Sequence, residues 1–415
     1  MVQFTSACCQ MRTFGYRMKK VYNHRVPIKY QRFMDHINPD DIVAHYSRDD
    51  IDKIDPRKGE RTYKDAQQTM GRKNFLLPNL SDQDLELNHI FQQELDRQRA
   101  MVARISKIRV VIDSKPGDGT ELNMNKDLST PFDCARHIHD LLTSRSVVAE
   151  ISPLETNTNL LQAHSDDKDE PNKMNEQSGE HSAEQTNNNH IRPIYWDMHR
   201  PLSESCRLKF RHFTDTNLSE VNKIYWRSCS YVLGMAIRLA FKDDIKVLLH
   251  SWPKPNVKSG SFVYDVALNL SEKWVPAEQE LRAFTKVMWD IKAAALPFER
   301  IEVSRDVAKR LFATNPFKLA QIDSILTNES SHNKVTVYRC GGLLDISIGP
   351  MISNTSQIGR ISLAAVHPFE SDSDEFKGVF YRFQGVSLPQ QLPVSSYIYQ
   401  NILINQAKRL NKASL

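Results

Sequence analysis

Leu218-Ser219-Glu220-Val221-Asn222-Lys223-Ile224-Tyr225-Trp226-Arg227-Ser228-Cys229-Ser230-Tyr231-Val232-Leu233-Gly234-Met235-Ala236-Ile237-Arg238-Leu239-Ala240 is the stretch from which the fold is read. Val221, Ile224, Tyr225, Val232, Leu233, Ala236, Ile237 and Ala240 recur at helical spacing and predict one long helix with an apolar stripe. Thr214, Asp215 and Ser219 supply capping hydroxyls and a carboxylate at its start. Downstream, strands are predicted near 245–250 and 261–268, a helix over Glu278 to Ala294, and a short strand over Arg300 to Val303. Ser304 is expected to cap a third helix running to about Phe312, followed by strands at 317–325 and 334–339 and a turn at Asp345. Helices and strands alternate along this segment.

Upstream lies a smaller module. Ile108-Arg109-Val110-Val111-Ile112 is a strand by its β-branched content. Lys115-Pro116-Gly117-Asp118-Gly119 is turn chemistry, and Leu122 to Lys126 returns as a second strand. Ser129 and Thr130 are N-cap candidates, Pro131 suits a first helical turn, and the helix is expected to reach about Thr143. Val147 to Ile151 is the next strand. A hairpin, a helix and further strands make a β-grasp module. Before it, Leu85, Ile90, Phe91 and Leu95 among many charges predict a helix over 82–103 lying on a surface.

Two motifs then carry the functional argument. Tyr225 to Gly234 has the frame of a helix that carries His-x-x-x-His in the editing domain of threonyl-tRNA synthetases, but the two reactive positions read Arg227 and Tyr231. Asp345-Ile346-Ser347-Ile348-Gly349-Pro350-Met351 resembles that domain's Cys-x-x-x-His frame, with Ser347 and Met351 at the reactive positions. Two imidazoles four residues apart share one helix face and suit metal binding or proton transfer. Arginine stays charged at neutral pH, and methionine offers only a weak thioether acceptor.

The resemblance extends further. Gly260 to Val266 is similar to a Gly-Phe-Tyr-Tyr-Asp stretch of the editing domain, and Val337 to Asp345 to the strand before its second motif. Met124 to Ala135 resembles the strand-to-helix junction of the TGS module that precedes editing in those synthetases, and Tyr195 to Leu202 its next strand and turn. The order of modules is that of a family of mitochondrial large-subunit ribosomal proteins, the thirty-ninth in the traditional naming. Trp226 to Cys229, Met124 to Cys134 and Arg382 to Pro389 look like that family in particular.

The resemblance implies an α+β fold, a TGS-like β-grasp domain followed by an editing-like α+β domain with extended termini, and a structural constituent of the mitochondrial large ribosomal subunit, in the mitochondrial matrix. It implies contacts to ribosomal RNA and neighbouring ribosomal proteins, and no catalytic residue, cofactor, metal or small-molecule substrate. Arg227 would plug the inherited pocket through Tyr231 or Ser347, pair with Asp345, or touch an RNA phosphate. Two rivals stand beside this: an RNA-binding regulator outside the ribosome, and a hydrolase acting on mischarged threonine tRNA. Trp196 and Trp226 are expected as core or interface aromatics, with base stacking the alternative.

Bulk properties agree with folded modules plus solvated extensions. The chain has 415 residues, 40% of them hydrophobic, and a net charge of +5. No run approaches the ~18 apolar residues that span a bilayer, so no membrane span is expected. Cys8, Cys9, Cys134, Cys206, Cys229 and Cys340 form no Cys-x-x-Cys and are expected as reduced, mostly buried thiols.

Charge is uneven. Residues 1–34 carry no Asp or Glu but hold Arg12, Arg17, Lys19, Lys20, Arg25, Lys29 and Arg32, the composition of a mitochondrial transit segment. Residues 35–104 follow as a polar extension ending in the surface helix. The 105–213 TGS-like segment is interrupted at 152–190 by a polar, disordered insert of net charge −6, which leaves +11 for the rest of the chain. The editing-like segment is expected over 217–370 and a basic extension over 371–415, with an amphipathic helix from Leu392 to Leu410. From Phe376 onward there is no acid, and Lys377, Arg382, Lys408, Arg409 and Lys412 are the candidate RNA contacts, since cations near phosphates release counterions.

Overall fold

The computed structural model describes residues 80–102, 104–154, 194–216, 218–242, 245–252, 260–270, 273–328, 334–370 and 379–410. The transit segment, the extension as far as 79, the insert from 155 onward, and residues 371–378 and 411–415 lie outside the described residues. In chain order the first elements are α1 (Asp82–Ala100), β1 (Lys107–Ile112), β2 (Glu121–Asn125), α2 (Pro131–Ile138), α3 (Asp140–Arg145), β3 (Val148–Pro153), β4 (Ile194–Trp196) and β5 (Cys206–Arg211). Then come α4 (Ser219–Ala240), β6 (Val247–Ser251), β7 (Phe262–Leu268), α5 (Glu278–Ala293), β8 (Glu299–Ser304), α6 (Arg305–Leu311) and α7 (Pro316–Asn328). The chain closes with β9 (Lys334–Cys340), β10 (Leu343–Ile346), β11 (Ile358–Glu370), β12 (Val379–Pro389) and α8 (Ile404–Leu410), the last preceded by a π-helical turn over Ile398–Leu403.

The architecture is α+β with mixed sheets. It divides into two compact units, one of Ser81–Tyr225 with Pro297–Ser353, the other of Trp226–Leu296 with the described residues from Asn354 onward.

In the first unit a five-stranded sheet has the order β2-β1-β5-β3-β4, with β1 and β5 parallel and the other pairs antiparallel. Ile108, Val110 and Ile112 alternate inward along β1 while Lys107 and Arg109 face water, as a pleated strand with one buried face requires. α2 starts with a reciprocal cap. Thr130 Oγ1 accepts from the Asp133 N–H at 3.2 Å, and Asp133 Oδ2 accepts from the Thr130 N–H at 3.0 Å. The single helix expected to Thr143 is in fact two. His139 is extended, and its Nδ1 accepts from the Leu141 N–H at 3.0 Å, so its side chain caps α3 and competes with helix continuation.

The same unit holds a three-stranded sheet, β10-β9-β8, covered by α1, α6 and α7. Phe91, Ile301, Val303, Leu311, Ile322, Val335 and Val337 form its core. α1 is more than a surface helix. Its outer residues are polar, but Phe91 is wholly buried beneath the Arg339 guanidinium, and the neighbouring Asn88 donates to Gly342 O. A narrow apolar stripe suffices to seat a helix whose polar face is broad.

The strand expected at 317–325 is the helix α7. Asn315 Oδ1 accepts from the Phe317 N–H at 3.1 Å, and Pro316 fits the first turn. Lys318 and Ile322, four apart, are buried together, which a strand would not give. Phe317 and Leu319 alone imitate a period of two.

In the second unit an antiparallel sheet has the order β11-β12-β7-β6. Phe241, Trp274, Phe284 and Phe383 pack edge-on and tilted between sheet and helices. On the helix face turned to the sheet, a Cβ on Gly234 would lie 2.6 Å from the Tyr264 ring. α5 runs along the outer edge of β11. Thr285 Oγ1 accepts from the Leu363 N–H at 3.0 Å, Trp289 Nε1–H donates to Ile361 O at 2.7 Å, and Lys292 Nζ donates to Gly359 O at 2.7 Å. From Thr285 to Trp289 four helical residues rise ~6 Å against ~6.6 Å for two strand residues, and the shorter three-residue step to Lys292, ~4.5 Å, is made up by the length of its side chain. The π-helical turn and α8 close over β12, with Tyr399 Oη donating to Val386 O at 2.7 Å and Gln384 Nε2 to Ala407 O at 2.9 Å.

Candidate functional site

The four positions of the emptied motifs fall two to each unit. Ser347 and Met351 follow β10 in the first unit, where both are buried. Their loop is fixed by a residue far away in sequence. Asp197, just after β4, accepts the Met351 N–H on Oδ1 at 2.7 Å and the Tyr338 hydroxyl on Oδ2 at 2.8 Å. Ser347 Oγ accepts from the Gly349 N–H at 3.2 Å. Gly349 has φ +73°, and a Cβ there would overlap the Tyr338 hydroxyl. Burial, then the Asp197 carboxylate, pushes the Tyr338 hydroxyl well above its ordinary range.

The surrounding turn is tied down as well. His199 Nε2 lies 3.1 Å from Ser353 O, its ring 4.8 Å from that of Phe132, and burial holds its pKa below the ordinary value. The Arg200 guanidinium lies 3.5 Å over the Trp196 ring, whose Nε1–H donates to Arg200 O at 3.1 Å. Trp196 is therefore a core aromatic with one face already occupied. Arg200 and Arg300 converge on Glu302 at 3.3 and 2.9 Å, and burial with the Arg300 charge pulls Arg200 down to about 10.

Asp345 is engaged by Lys318. Its Oδ1 lies 2.6 Å from Lys318 Nζ, with the two side chains 6% and 2% exposed, and also accepts the Ile346 N–H at 2.7 Å. Sequence reasoning missed Lys318, and the only signal was a lone cation inside an apolar run.

In the second unit Arg227 is half-buried on α4 and Tyr231 is buried. Tyr231 joins a line of rings, 6.0 Å from Trp252, which is itself 5.3 Å from Tyr264. Trp226 meets Phe262 edge-on at 5.8 Å, and Cys229, three residues further along the helix, is buried. Where imidazoles would stand, the helix presents an arginine and a packed phenol.

The candidate RNA contacts are differently placed. Arg382 lies on β12 and is bidentate to Asp265, at 2.8 and 2.9 Å. Lys408 is half-buried on α8, Arg409 lies on the same helix with its side chain undescribed, and Lys377 and Lys412 lie outside the described residues.

Among the described residues no group of three or more His, Cys, Asp or Glu is placed to hold a metal ion. Cys134, Cys206, Cys229 and Cys340 are buried cysteines outside any disulfide, and burial pushes Cys134 and Cys206 up to about 12. No helix among the described residues is long and apolar enough to cross a membrane. What the Asp197 cluster does chemically is fix a loop, by spending both carboxylate oxygens on partners inside its own unit.

Comparison with known proteins gives a consistent picture. No protein-family model matches the chain. It is 36% identical over 328 residues to a protein of Drosophila melanogaster described as large ribosomal subunit protein mL39, covering 79% of this chain and 85% of that one. It is 32% identical over 194 residues to the mitochondrial threonine–tRNA ligase of Homo sapiens, covering 47% of this chain and 25% of the ligase. A probable cytoplasmic threonine–tRNA ligase of Dictyostelium discoideum is 29% identical over 206 residues, covering 49% and 26%.

Proposed function

The chain belongs to the family of large ribosomal subunit protein mL39, and on that premise we propose that it is a structural, non-catalytic constituent of the mitochondrial large ribosomal subunit. The observation that carries this is identity sustained over most of both chains, where the ligases match about half of this one and less than a third of their own length. The residues at the emptied motif positions agree. Arg227, Tyr231, Ser347 and Met351 keep the frame of an editing domain and give it neither the imidazole pair nor the thiol and imidazole of the second motif.

The finer assignments follow from the same premise. The first 34 residues direct the chain to the mitochondrial matrix, where it meets ribosomal RNA and neighbouring ribosomal proteins. The five-stranded sheet is a TGS-like β-grasp module, supported by its strand order and by the parallel β1–β5 pairing beside the α2 helix. The RNA contacts include Lys377, Lys408, Arg409 and Lys412. Arg382 contributes least, because Asp265 already neutralises it.

Sedimentation of a mitochondrial lysate tests the assignment. The protein is expected in the large-subunit fraction at low salt, and recovery only at the top of the gradient overturns it.

A further inference from the structure

We propose that Lys292 and Arg360, with Trp289 beside them, form a contact for the phosphodiester backbone of RNA. This rests on the ribosomal RNA-binding reading above and adds a site absent from its candidate residues.

The three side chains gather where the last turns of α5 meet the start of β11. Trp289 and Lys292 are anchored to the carbonyls of Ile361 and Gly359, on either side of Arg360. A single lysine there would need no special account, since the last turn of a helix favours a cation. Two neighbouring cations without an acid between them do. Among the residues of this unit whose side chains are described, the carboxylates are committed elsewhere: Asp265 to Arg382, Glu278 to Arg282, Asp290 to Lys286, and Glu280 to the Trp274 indole and the Ala277 N–H. No carboxylate among the described residues pairs with Lys292 or Arg360.

Both cations are half-buried, so water screens their repulsion incompletely. Burial, then the Arg360 charge, pulls Lys292 below the ordinary lysine range. A phosphate between them reverses that penalty and takes charge-assisted bonds from both. Arg360 is oriented by the Tyr399 ring 5.8 Å beneath its guanidinium. Trp289 is 43% exposed, yet its indole nitrogen is fixed to β11. A held, exposed ring beside two cations is the combination that stacks a base while the backbone is neutralised. A protein partner would need acids opposite the cations, and nothing about the site specifies their geometry, so RNA is the occupant we assign.

The test is a salt titration of the full chain against a fluorescein-labelled single-stranded RNA of twenty nucleotides. Lys292→Gln with Arg360→Gln keeps the donor to Gly359 O and removes both charges. The slope of log affinity against log salt is expected to fall in magnitude by about 0.7, the value for one lost phosphate contact on a single strand. Lys292→Arg with Arg360→Lys should keep the wild-type slope, which separates charge from damage to the fold. An unchanged slope in the double glutamine variant overturns the site alone. Wild-type protein that does not bind the RNA at all removes the wider RNA-binding reading with it. If the glutamine variant binds RNA normally but no longer sediments with the large subunit, the occupant is a protein and the proposal is wrong.

Discussion

Tyr338 and Asp197, 141 positions apart, share a 2.8 Å hydrogen bond in which the phenol donates and the carboxylate accepts. The other oxygen of Asp197 holds the Met351 amide, so one side chain joins β9, the end of β4 and the loop after β10. Asp197→Ala strands both donors in a dry interior and should cost on the order of 3 kcal/mol, at 1–3 for each unsatisfied group. Asp197→Asn keeps one acceptor and should lose less. Urea unfolding of the purified chain reads both, and identical midpoints for wild type and the alanine variant would remove the clamp from the account.

The buried Lys318–Asp345 pair makes a sharper prediction. Lys318→Met leaves a carboxylate in the interior without its counter-ion, at a cost of about 3–5 kcal/mol. Lys318→Met combined with Asp345→Leu removes both charges and should recover most of that loss. A double-mutant cycle measures the coupling, and simple additivity would show that the two groups do not depend on each other.

His199 gives the first unit a pH dependence whose sign follows from its burial. Its folded pKa is held below the unfolded value of about 6.5. The unfolded state therefore binds the proton more readily in the window between the two. Stability is fully present above about pH 6.5 and is lost as pH falls through the folded value. Thermal melting between pH 7.5 and 5 should show this decline, and His199→Gln should flatten it. A variant with the wild-type profile would assign the acid sensitivity to other groups.

Gly349 is constrained twice, by a left-handed backbone and by the Tyr338 hydroxyl that a Cβ would overlap. Gly349→Ala should therefore lower the melting temperature more than Tyr338→Phe does. Adding Tyr338→Phe to Gly349→Ala should return part of the loss, because it removes the oxygen in the way. Calorimetry of the three variants decides the order, and a harmless Gly349→Ala contradicts the packing described.

Elements with a clean period were legible in the sequence. The stripe from Val221 to Ala240 predicts α4, and Thr130-Pro131 predicts the start of α2. β11 and β12 left no such mark. Most of β12 is buried on both faces, which erases the alternation that identifies a strand, and β11 carries Gly359 and Pro368. Proline is tolerated there because β11 is an edge strand. The site divides in the same way. Arg227, Tyr231, Ser347 and Met351 are visible as departures from a local frame. Asp197 and Lys318 act across long loops, and nothing near them in sequence names the partners they reach.

The helix lying against β11 has a consequence for the protein before it is assembled. A subunit made in excess of its ribosome waits alone, and an open sheet margin would invite the next copy to add a strand. On that margin the groups of Gly359, Ile361 and Leu363 already belong to Lys292, Trp289 and Thr285. Side-chain donors and acceptors satisfy the rim as a neighbouring backbone would, without offering a backbone for further growth. Unassembled copies are thus kept from polymerising along that side.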